Sequence, residues 1–122
     1  MTTNGHPALG RIMILMTIIP KDKGDEVSTF YRTLGLNFNM ISPCYGAGGL
    51  EFGDYLGLTE TEMDMVISVG ADEKIREALS LAKEHFHLAE PGHGIAFTLP
   101  INGISGPRAY SYVTADLKRS KE

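Results

Sequence analysis

The chain has 122 residues, 43% hydrophobic and 21% charged, which suits one domain with a buried core and is too short for two. A net charge of −4 argues against a general nucleic-acid binder, and the single cysteine, Cys44, excludes an intrachain disulfide and a Cys-x-x-Cys zinc site. The longest apolar run, Ile12 to Ile19, is far too short to span a bilayer and no convincing cleavage site follows it, so the expected location is the cytoplasm.

Residues 1–10 are polar, contain Gly5, Pro7 and Gly10, and read as a flexible N-terminal segment. Ile12 to Ile19 is β-branched and almost continuously apolar, the pattern of a central strand, and Pro20 ends it. Val27, Phe30, Tyr31 and Leu34 then fall on one helical face. Asp25 and Glu26 stand in the first turn, where the helix dipole favours carboxylates, and Gly35 stops the helix. Phe38 to about Cys44 reads as a second strand. The glycine-rich stretch Tyr45 to Gly49 follows, then a short helix over Leu50 to Leu56. Glu62 to Val69 reads as a third strand closed by Gly70. Asp72 is the expected N-cap of a second helix whose inner face is Ile75, Ala78, Leu79, Ala82 and Phe86.

Residues 90–97 read EPGHGIAF. Pro91, Gly92 and Gly94 make a tight turn that carries His93 to the start of a fourth strand, Gly94 to Pro100. Such a turn can be a plain helix-to-strand connection. It can also take up an anion or a nucleotide phosphate on main-chain N–H groups. Under the second reading Gly94→Val costs more affinity than His93→Ala, because it disturbs several donors rather than one. Asn102-Gly103 is a turn signal, with a short fifth strand expected over Gly103 to Ser105. Beyond Ser105 the tail holds Arg108, Lys118, Arg119 and Lys121 against Asp116 and Glu122, a solvated end or a cover for an anion.

The order β-α-β, β-α-β predicts an α+β fold: a four-stranded ferredoxin-like sandwich over residues 11–105, with both helices on one face, right-handed crossovers and a tail over 106–122. The opposite sheet face is then uncovered although the first and fourth strands are apolar on both sides. This predicts self-association through the sheet.

Other chemistry is thinly represented. Gly46 to Gly49 lacks the third glycine of a dinucleotide fingerprint, since Glu51 stands there, and no Walker sequence occurs. His85 and His87 cannot share a helical face and make a poor metal pair. Cys44 reads as a half-buried residue at a strand end.

Four stretches together resemble the P-II family of trimeric signal-transduction proteins. They are IIPKDKGDEV (residues 18–27), the glycine-rich loop at 45–49, the helix from Asp72 to Phe86, and PGHGIAF (residues 91–97). The last is the most specific. The resemblance implies a homotrimer that is not an enzyme, has no cofactor, and binds an adenine nucleotide (ATP, ADP or AMP) as effector between subunits while regulating a partner protein. It implies effector contacts from Gly46 and Gly48 in the first loop, from Gly92, His93 and Gly94 in the second, and from Arg108 in the tail. Two departures are visible. The long protruding loop of the best-known members is cut to residues 45–61, and Ile95 stands where a lysine would follow the turn glycines. A second likeness runs from Phe30 to Phe38, FYRTLGLNF, which resembles the first helix of the vicinal-oxygen-chelate enzymes and implies a metal on His and Glu side chains of strands. A scaffold without ligand is the third reading.

Overall fold

A computed structural model describes residues 12–45 and 62–105. The elements run β1 (Ile12–Pro20), α1 (Gly24–Thr33), β2 (Phe38–Tyr45), β3 (Glu62–Ala71), α2 (Asp72–His85) and β4 (Ile95–Pro100). The four strands form one sheet in the order β2-β3-β1-β4, with every neighbouring pair antiparallel. This is the ferredoxin-like arrangement expected from the element order. It leaves no place for the metal-enzyme fold, because α2 occupies the position where that fold requires further strands.

Alternation along β1 sorts the two faces. Met13, Leu15, Thr17 and Ile19 are buried, and the residues between them are half-buried. The buried set packs on Val27 and Tyr31 of α1, on Ile75, Ala78 and Ala82 of α2, and on Leu36 and Phe86. The core is thus a single layer between the sheet and the two helices.

Its polar groups are paired. The Thr17 and Tyr31 hydroxyls lie 2.6 Å apart. Ser68 donates to the Asn39 side-chain oxygen at 2.6 Å, and Asn39 donates to the Leu36 carbonyl at 2.8 Å. Burial pushes the Tyr31 phenol above its usual pKa of 10.0, and its bond to Thr17 opposes that only in part. A phenol held neutral in the fold contributes stability that is complete below the unfolded-state pKa and is lost as pH rises through the folded one. Stability should therefore fall in the alkaline range above pH 10. Tyr31→Phe should remove that portion of the slope and lower neutral-pH stability by about 1–2 kcal/mol, because the Thr17 hydroxyl loses its partner. Urea unfolding of both proteins across pH checks this.

The start of α1 is tied down from a distance. Lys23 is its N-cap residue and offers no side-chain cap. The Asp64 carboxylate on β3 instead accepts the amide N–H of Asp22 at 3.0 Å and of Gly24 at 2.9 Å. A Cβ at 24 would stand 2.7 Å from Ile41 Cγ2 and 2.9 Å from Asp64 Oδ2, so a larger residue there would have to displace those two side chains. Asp64→Ala should lower stability by roughly 1–2 kcal/mol, as other lost caps do, with Asp64→Asn retaining part of it. Thermal unfolding of the two variants separates the lost acceptor from the lost charge.

Two expectations are revised. Asp72 is not an N-cap. Ala71 takes that place in an extended conformation, and Asp72 is the first helical residue, paired with Arg76 one turn on. No fifth strand forms, since residues 101–105 are irregular. The helix expected over Leu50 to Leu56 lies outside the described residues.

The other sheet face is apolar, and no described helix packs on it. Register aligns Met40, Ile67, Met16 and Phe97 in one row across all four strands, and Phe38, Val69, Ile14 and Leu99 in the next. Ile18, Met65 and Ile95 follow, beside Ser42. No charged residue falls on these rows. Met40, Phe97 and Leu99 are exposed, at 52%, 39% and 41%. Pro43, opposite Asp64, lies within β2, which is an edge strand.

Candidate functional site

Strand pairing gathers the candidate segments at one end of the sheet. Pro20 at the end of β1 lies opposite Met63, Tyr45 at the end of β2 opposite Glu62, and Ile95 at the start of β4 opposite Ile18. Tyr45 and Glu62, which flank residues 46–61, the start of α1 and the 91–94 turn therefore share this end. A strand spacing of about 4.8 Å separates β4 from β3 by roughly 10 Å and from β2 by roughly 14 Å, with β1 between. Within one chain the turn and the loop bases share an edge without touching.

The turn is built by its backbone. Gly92 and Gly94 have φ of 89° and 115°. A Cβ on Gly94 would lie 2.5 Å from the Ile18 carbonyl oxygen and 3.2 Å from Ile19 Cα. Glycine is thus required at 94 because β1 runs against it, whatever the turn binds. Gly94→Val would therefore attack the fold, and a loss of affinity in it would not by itself report on main-chain donors in the turn. The His93 N–H donates to the Glu90 carbonyl at 3.4 Å and so closes the turn.

His93 holds its side chain 45% exposed, with Nε2 3.8 Å from Glu90 Oε1. His87 approaches the same carboxylate from the other side, with Nδ1 3.6 Å from Oε2. Residue spacing alone does not signal this, because His87 reaches the turn through a left-handed backbone, φ 55°. His85 diverges and stacks on Phe30 of α1, with ring centroids 4.2 Å apart and 13° between planes. The three imidazoles therefore do not converge, and among the described residues no three His, Cys, Asp or Glu side chains are placed to hold a metal ion.

Other charges lie at the same end of the sheet. Lys21 pairs with Glu62 at 2.9 Å. Lys23 is exposed at the start of α1. Cys44 is half-buried one residue before the end of β2. Burial pushes its thiol up and the Asp64 charge adds to this, so it is a poor nucleophile at neutral pH. Gly92, His93 and Gly94 are consecutive in the turn. Gly46, Gly48 and Arg108 lie outside the described residues.

A shallow groove of about 530 Å³ runs between the helices, lined by Asp25, Glu26, Thr29, Phe30, Thr33 and His85. It is on the helical layer and apart from the turn. No described helix is long and apolar enough to cross a membrane.

No family model matches the sequence, and no curated protein does. Solved structures do match the fold. A PII-like signaling protein of Thermus thermophilus superposes with a TM-score of 0.57 at 14% identity, over 75% of this chain and 87% of that one. PII of Arabidopsis thaliana bound to citrate gives 0.60 at 17% identity, over 81% and 85%. CPII of Thiomonas intermedia K12 bound to ADP, AMP and acetate gives 0.59 at 15% identity, over 81% and 93%.

Proposed function

We propose that this chain, whose fold is that of the P-II-like signalling proteins, is a cytoplasmic, non-catalytic regulator. It assembles as a trimer through the open sheet face and binds an adenine nucleotide between subunits. The observation that carries this reading is the 91–94 turn, fixed on β1 at the end of the sheet where β2 stops at Tyr45 and β3 starts at Glu62. On one subunit the turn and the loop bases stand apart, and a neighbouring subunit packed on the open face brings a second set of both. Support for the ligand class comes from the shared fold of CPII, bound to ADP and AMP. Gly92, His93 and Gly94 would hold phosphate, with Gly46, Gly48 and Arg108 completing the site. Occupancy would pass to a partner protein through the 44–58 stretch.

A thermal-shift screen of ATP, ADP, AMP, cyclic nucleotides and bicarbonate tests the reading. An adenine nucleotide at one hundred times its Kd stabilises a folded protein by about 2.7 kcal/mol, a shift of several degrees for a domain of this size. No shift with any nucleotide would leave a scaffold without ligand.

A further inference from the structure

His87, Glu90 and His93 form a cluster that the sequence did not disclose. The rings of His87 and His93 lie 5.9 Å apart, at 72° to each other. Glu90 places one carboxylate oxygen toward each, at 3.6 and 3.8 Å. The left-handed backbone at His87 is uncommon outside glycine, and it turns this imidazole toward the turn while His85 goes to α1. All three side chains are accessible, at 63%, 64% and 45% for His87, Glu90 and His93. Two imidazole nitrogens that stand beside the two oxygens of one carboxylate, beyond hydrogen-bond distance, can close on two oxygens of a phosphate.

We propose that His87 and His93 form one anion-binding pair, and that Glu90 occupies it in the free protein as a built-in competitor of the effector's phosphate. This rests on the nucleotide reading above and deepens it. It adds His87 to the site, and it makes Glu90 the group an arriving phosphate displaces. The turn itself survives loss of the Glu90 carboxylate, because its closing bonds are main-chain: Glu90 N–H to the His87 carbonyl and His93 N–H to the Glu90 carbonyl.

The test is calorimetry with ADP and with pyrophosphate on the wild type, Glu90→Gln, His87→Gln and the double variant. All four proteins are compared in one mildly acidic buffer. Glu90→Gln should bind both probes more tightly, by roughly threefold, the scale of an exposed charge contact. His87→Gln should abolish most of that gain in the double variant. Binding by Glu90→Gln alone, with a silent wild type, supports the competitor in its strongest form. If the wild type binds ADP and Glu90→Gln binds it no more tightly, the competitor is overturned while the effector reading stands. If neither protein binds either probe, both fall.

Discussion

Gly94→Val is expected to leave the protein unfolded, or less stable by roughly 3–5 kcal/mol. Two effects add. A φ of 115° lies in a region that β-branched residues do not adopt. The new Cβ would also sit 2.5 Å from the Ile18 carbonyl oxygen, a main-chain atom of the strand that pairs with both β3 and β4. Neither neighbour can step aside without opening β1, the central strand. Since small domains have only about 5–15 kcal/mol in hand, a loss of this size reaches the threshold of folding. Urea denaturation followed by circular dichroism measures it. A Gly94→Val protein as stable as the wild type would contradict the close approach. Lost ligand binding in this variant reports the fold, so His93→Ala is the substitution that tests the site.

Met16→Asp should convert the proposed trimer to a monomer. Met16 occupies the middle of the open face, between Ile67 and Phe97 in one row. In a lone chain the position is half-buried, and a carboxylate there reaches water. In an assembly sealed through this face it becomes an unpaired buried charge, and the association is lost. Sedimentation at micromolar concentration should give about three times 13.3 kDa for the wild type and a single 13.3 kDa for the variant. Thr29→Asp, on the exposed side of α1, serves as the control and should leave the mass unchanged. A monomeric wild type, or a variant that still associates, removes the sheet face as the interface.

What could be read in advance was local. The run from Ile12 to Ile19 and the helical spacing of Val27 and Tyr31, or of Ile75, Ala78 and Ala82, depend on near neighbours, and both patterns reappear as burial. The glycines of the turn were legible as glycines but their reason was not. Gly94 answers to Ile18, a residue distant in sequence. Asp64 looked like the polar half of an alternating strand, and its task is set by amides 40 and 42 residues away. Asp72 was misplaced by one position, because an aspartate that precedes an apolar stripe can cap the helix or open it. Here it opens the helix and pairs with Arg76 one turn on. His87 and His93 are plainly near in sequence. Their shared carboxylate depended on one left-handed residue, which composition does not reveal.

Pro43 carries a consequence for how copies of this chain can add to one another. An antiparallel sheet can grow without limit if a free edge accepts another strand, the route to fibres. β2 is such an edge, and a proline in its middle has no N–H to offer and disfavours an incoming strand. Growth along the hydrogen-bonding direction is therefore discouraged, while the broad apolar face invites contact in the perpendicular one. Assemblies made by stacking faces can close on themselves and stop at a fixed number of copies. Concentrated protein should accordingly give a finite particle and no thioflavin-binding fibrils, and Pro43→Val should raise its tendency to form them.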